Sequence, residues 1–101
     1  MEFTDRKKKI LCEIVKLHIA TGEPVGSKML CNAAGLNLSS ATVRNEMSDL
    51  CEMGYLQQPH TSAGRVPTAA GYRFYIKELL GSNTLSPQMQ QSIDRVIHKI
   101  A

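Results

Sequence analysis

The chain has 101 residues, 43% of them hydrophobic and 21% charged, which is enough apolar material for one folded domain and too little chain for a barrel or a dinucleotide-binding enzyme. Twelve Lys and Arg against nine Asp and Glu leave a formal charge of +3, a balance that permits a polyanionic partner without requiring one. Cys12, Cys31 and Cys51 form neither a CxxC pair nor an even disulfide set, His18, His60 and His98 lack metal spacing, and no apolar run reaches the roughly 20 residues of a membrane span. The expectation is a cytoplasmic protein with reduced thiols, no metal, no cofactor and no membrane partner.

Thr4 and Asp5 are cap candidates for a first helix in which Ile10, Leu11, Ile14, Leu17 and His18 recur at three- and four-residue spacing, so one face turns inward. Its first turn carries Arg6, Lys7, Lys8 and Lys9, which oppose the helix dipole unless an anion lies near, and phosphate would serve. His18 reads as a packed residue at the core edge. Residues 21–26, TGEPVG, end the helix and leave a short extended piece around Val25. Ser27 is expected to cap a short second helix through Ala34, with Leu30, Ala33 and Ala34 inward and Gly35 at the left-handed terminating position. A tight connection over 35–38 leads to a third helix from Ser39 or Ser40 to about Met53, closed by Gly54. Helix, four-residue turn with glycine, helix is the outline of a helix-turn-helix.

Beyond Gly54, two short extended runs, residues 55–58 and Val66 with Pro67, flank the polar loop 59–65 and predict a hairpin. Thr68 can cap a fourth helix whose Tyr72, Tyr75, Ile76, Leu79 and Leu80 form an apolar stripe, with Arg73 and Lys77 outward; Gly71 inside it has no reason visible in the sequence. Residues 81–87 read as a linker, Ser86 and Pro87 open a last helix, and Met89, Ile93, Val96, Ile97 and Ile100 share one of its faces. The fold class expected is mainly α with a small β-hairpin: a winged helix-turn-helix of three-helix core, wing and fourth helix, plus a C-terminal amphipathic helix. The division follows: 1–80 as a winged-helix DNA-binding domain, and 81–101 as linker and amphipathic helix leading to a C-terminal regulatory and dimerisation domain absent from this chain.

Function concentrates on the third helix. Val43, Met47, Leu50 and Cys51 fall on one side, Ala41, Asn45, Ser48 and Glu52 opposite, and Thr42 and Arg44 on the flanks. Short polar side chains near a helix N-terminus suit a DNA major groove: Arg can bond guanine bidentately, Asn can bond adenine, and Ala or a Thr methyl can touch a thymine methyl. The amino end, at Ser39 and Ser40, also attracts phosphate. Glu46, Asp49 and Glu52 farther along are expected to repel the DNA backbone, which confines contact to the helix start. The loop with His60, Thr61, Ser62, Gly64 and Arg65 has no acid, several donors and one cation, and suits phosphate or minor-groove contact; Lys28 at the start of the second helix joins these candidates. Two readings stand: a DNA-binding module, or a winged-helix protein-interaction module whose working surface is the final helix. Catalysis is not expected, because no acid pair, Gly-rich phosphate loop or nucleophile and base in one motif appears.

The strings TGEPVGSK (21–28), SSATVRNEMSDLCEMGYL (39–56) and PHTSAGRVPTAAGYRFYI (59–76) resemble the N-terminal domain of the bacterial heat-inducible transcription repressor HrcA, over roughly residues 5–80. The PHTSAGRVPT segment is far more specific than a generic helix-turn-helix. The resemblance implies a winged-helix domain that binds, as a homodimer, an inverted-repeat operator upstream of heat-shock chaperone genes, with the GroE chaperonin as a further partner. It implies operator contacts from Ser40, Thr42, Arg44 and Asn45 on the recognition helix and from His60, Thr61, Ser62, Gly64 and Arg65 on the wing.

Overall fold

The computed structural model of the chain describes residues 2–59, 63–81, 91, 94–96 and 98–99. Helix α1 (Asp5–Thr21) begins where the Thr4 hydroxyl accepts the Lys7 amide at 3.2 Å, and ends at Gly22, whose amide reaches the His18 carbonyl at 2.7 Å. Helix α2 (Ser27–Ala34) has no side-chain cap: Gly26 stands at the cap position and Ser27, expected there, is already helical. Helix α3 (Ser40–Glu52) is capped by Ser39, whose hydroxyl accepts the Thr42 amide at 3.1 Å. Strands β1 (Leu56–Gln57) and β2 (Val66–Pro67) pair antiparallel, Leu56 opposite Pro67 and Gln57 opposite Val66. A bridge between Val25 and Arg65 adds the expected extended piece to this ribbon. Helix α4 (Ala69–Leu80) is capped by the Thr68 hydroxyl, which accepts the Gly71 amide.

The core gathers around α1. Ile10, Leu11, Ile14 and Val15 are wholly buried against Val25, Leu30 of α2, and Val43 and Leu50 of α3, and Met47, Leu56 and Tyr72 close the cluster. Helix-turn-helix, antiparallel hairpin and fourth helix together make a winged helix-turn-helix, mainly α with a small β element, as the sequence predicts.

Two inward assignments change. Ala33 is exposed, and Cys31 faces the core instead, its thiol 3.7 Å from the Leu38 carbonyl; two turns of helix are too few to average out a shift in facing. The side chain of Ala34 lies outside the described residues. Leu79 is 69% exposed, because the last turn of α4, with Lys77 and Glu78, runs past the edge of the core. Phe74 packs inward in its place, with ring centroids 4.9 Å from Phe3, which in turn stacks on Tyr55 at 4.7 Å.

Gly71 now has a reason. A Cβ built on it would fall 2.4 Å from the Tyr55 carbonyl oxygen and 3.3 Å from Pro67 Cβ, so α4 seats on the root of the hairpin only because this position lacks a side chain. The same junction is tied by the Thr68 hydroxyl donating to the Gly54 carbonyl at 2.6 Å and by the Thr68 amide donating to Tyr55 at 3.0 Å. Residues 91, 94–96 and 98–99 are helical, and Asp94 pairs with Arg73 of α4 at 3.2 Å. The expected linker beyond Gly81, the helix start at Ser86 and Pro87, and Met89, Ile93, Ile97 and Ile100 lie outside the described residues; Val96 is exposed.

Candidate nucleic-acid interface

The capping of α3 sets which side chains it can offer. Ser39 turns its hydroxyl inward to the helix end, accepting the Thr42 amide and donating to Thr42 Oγ1 at 2.9 Å, so the Thr42 hydroxyl keeps its own proton for another acceptor. From this start Val43, Met47 and Leu50 point into the core. Ala41, Arg44, Asn45 and Ser48, spaced i, i+3, i+4 and i+7, are then exposed as one stripe, with Ser40 and Thr42 half-buried at its edge.

Beside that stripe lies a groove of about 490 Å³, floored by Met47 and bounded by the amino end of α2, by α3 and by the wing. Three cations from three elements meet on it: Lys28 of α2, Arg44 of α3 and Arg65 of the hairpin. Among the described residues none of the three is in an ion pair, which leaves their charge uncompensated within the molecule. Arg65 is oriented by its own loop, donating from Nη1 to the Ala63 carbonyl at 2.7 Å and to that of Gly64 at 3.3 Å, while its backbone exchanges hydrogen bonds with Val25. Gly64 is buried: a Cβ there would meet Pro24 Cβ at 2.9 Å and the Pro24 backbone at 3.0 Å, so its visible part is to let the wing lie against the loop before α2. His60, Thr61 and Ser62 lie outside the described residues.

The groove also takes in Ser27 and Gln58, which the sequence reading passed over. Gln58 follows β1 at the mouth of the hairpin, and polar residues there were the one available signal. Thr42, Ala41, Asn45 and Ser48 are not groove-lining; they belong to the adjoining convex stripe.

The acids of α3 behave differently from the expectation. Glu46 is buried, its Oε1 3.2 Å from Lys7 Nζ and its Oε2 3.1 Å from Arg6 Nε, and Asp49 Oδ2 lies 3.2 Å from the same Lys7 ammonium. Two of the three acids expected to repel DNA are thus neutralised by α1, and two of the four first-turn cations, Arg6 and Lys7, are taken by internal partners rather than left for phosphate. The Glu46 hydrogen bond, with Asp49 behind it and against the opposing effect of burial, holds the Lys7 ammonium above its usual range. Lys8 sits over the Phe3 ring at 5.6 Å. Elsewhere, burial and the neighbouring Glu78 and Glu13 push the Cys12 thiol up, opposite to the shift a thiolate nucleophile needs. Among the described residues no helix is long and apolar enough to cross a membrane.

No family model matches the chain. It is 57% identical over 84 residues to the heat-inducible transcription repressor HrcA of Desulforudis audaxviator, a match that covers 83% of this chain and 24% of that protein. The corresponding repressors of Pelotomaculum thermopropionicum and Carboxydothermus hydrogenoformans are 50% and 51% identical, over 94% and 91% of this chain and 27% of each relative. A crystal structure described as that of a hypothetical protein superimposes on 76% of this chain and 25% of its own, with a TM-score of 0.74 and 47% identity. The chain therefore spans about a quarter of the length of the relatives it matches.

Proposed function

This chain matches the N-terminal domain of the heat-inducible transcription repressors HrcA, and from that premise we propose that it is the DNA-binding part of such a repressor of heat-shock chaperone operons, acting in the cytoplasm. The observation that carries the reading is the juxtaposition on one surface of an exposed stripe with base-reading chemistry, Ala41, Arg44, Asn45 and Ser48, and a groove ringed by Lys28, Arg44 and Arg65. In a major groove the stripe meets base edges, and Arg and Asn are the two side chains best matched to guanine and adenine there. Lys28, Arg65, the α3 amino end and the wing residues His60, Thr61 and Ser62 hold backbone phosphates, which fix register without reading sequence. Residues 1–80 make up this module, and 81–101 lead toward regulatory and dimerisation functions carried outside it. In the whole repressor two copies bind an inverted repeat with half-sites about 34 Å apart, or a multiple of that, and the GroE chaperonin is a partner of the full protein.

Selection of bound sequences from a random duplex pool tests the reading, with a palindromic winner expected. On that winner Arg44→Ala is expected to cost about 1 to 3 kcal/mol and to relax one base pair, and Arg65→Ala to weaken all sequences and lower the salt slope by about one unit. Equal losses for Arg44→Ala on the winner and on scrambled DNA remove its base-reading role. No salt-dependent duplex binding at all points instead to a protein-interaction module.

A further inference from the structure

The ion cluster between α1 and α3 is not absorbed by the groove. Helix α3 carries one cation, Arg44, against Glu46, Asp49 and Glu52, an adverse balance for a helix that must lie on a polyanion. The first turn of α1 is equally adverse to its own dipole, with Arg6 and Lys7 where acids are favoured. Stability alone is a poor reason for this arrangement, since a buried ion pair holds a fold little better than apolar residues of the same volume. Both oddities vanish together when the two helices are taken as a unit: the Lys7 side chain is 10% exposed and the Glu46 side chain 7%, and Lys7 Nζ touches Glu46 and Asp49 at 3.2 Å each.

We propose that Lys7 is a positioning residue for duplex binding: bridging Glu46 and Asp49, it offsets one of their two negative charges while Arg6 offsets the other, and it pins that helix by the sides turned away from its exposed stripe. Arg6, half-exposed and 3.1 Å from Glu46, supports it. The inference rests on the DNA-binding reading above. It adds that the neutral, correctly rotated recognition helix depends on a lysine that touches no DNA.

The test measures binding of a fluorescein-labelled mixed-sequence duplex by anisotropy at several salt concentrations, with folding of each variant checked by circular dichroism. Lys7→Gln is expected to bind roughly tenfold more weakly. Lys7→Gln combined with Glu46→Gln is expected to recover most of that loss, and the slope of log affinity against log salt to stay at the wild-type value in both. Lys77→Gln, the same charge change on the exposed face of α4, is expected to alter affinity by less than about twofold. A slope lowered by about one unit without recovery makes Lys7 a phosphate ligand, unchanged affinity of a folded Lys7→Gln makes the pair structural only, and an equal loss for Lys77→Gln reduces the effect to net charge; each overturns the proposal. Should Lys7→Gln fail to fold, Glu46→Gln alone decides: Lys7 stays held by Asp49, and binding is expected to tighten about threefold, with unchanged or weaker binding counting against. A wild-type chain that binds no duplex removes the DNA-binding reading itself, whereas wild-type binding with any of the contrary variant results removes only the role of Lys7.

Discussion

Replacing Gly71 by alanine inverts the usual rule for helices. At an ordinary helix-interior position this change stabilises by about 0.8 to 1 kcal/mol, because glycine loses more backbone freedom on folding. At Gly71 the new Cβ would stand 2.4 Å from the Tyr55 carbonyl oxygen. A carbon and a carbonyl oxygen rest at about 3.3 Å or more, so α4 and the hairpin root must part by roughly 0.9 Å. Neither side yields freely: the Tyr55 carbonyl accepts the Thr68 amide at 3.0 Å, its ring stacks on Phe3, and Pro67 Cβ lies on the other flank at 3.3 Å. Overpacking costs about 1 to 3 kcal/mol and the lost hydrogen bond about 1, less about 1 from propensity, for a net loss of about 1 to 3 kcal/mol. For a domain of this size the thermal midpoint should fall by roughly 5 to 20 °C. Thermal unfolding followed by far-ultraviolet circular dichroism measures it, with Ala70→Gly, exposed in the same helix, calibrating propensity alone at a loss of about 1 kcal/mol. A Gly71→Ala chain as stable as wild type, or more so, refutes the close approach of α4 to Tyr55.

Ser39→Ala removes the α3 cap and is expected to cost about 1 kcal/mol in chemical denaturation, while Ser27→Ala, at a position without a capping bond, should cost only a few tenths. Tyr72 is buried with a hydroxyl that has no hydrogen-bond partner among the described residues, so Tyr72→Phe should leave stability unchanged or raise it by up to about 1 kcal/mol; a loss of that size would mean the hydroxyl is satisfied. Stability should also fall in alkali. The Lys7 ammonium is held above its ordinary 10.5 by Glu46, and burial raises the Tyr72 phenol above its ordinary 10.0, so both contributions are complete below those values and are lost as pH rises through the folded ones. Denaturation midpoints that stay flat from neutral pH into that range would contradict both assignments.

Much of this molecule was legible from local chemistry. The caps at Thr4, Ser39 and Thr68, the breaks at Gly22 and Gly35, the 3.6-residue period of α1 and the pairing of short runs about a polar loop are short-range signals, and each sits where it was expected. The stripe of Ala41, Asn45 and Ser48, with Arg44 on its flank, was visible for the same reason, since helical spacing alone puts positions four and three apart on one face. What the tertiary structure decided are relations between distant positions. That Lys7 belongs to Glu46, 39 residues away, that Gly64 makes room for Pro24 and Gly71 for Tyr55, and that Lys28, Arg44 and Arg65 border one groove are not written in any local window. A basic first turn reads as a place for phosphate, Gly64 as an operator contact and Gly71 as having no reason, because periodicity reports which face of an element is apolar, but not which other element, carrying which charge or carbonyl, is packed against it.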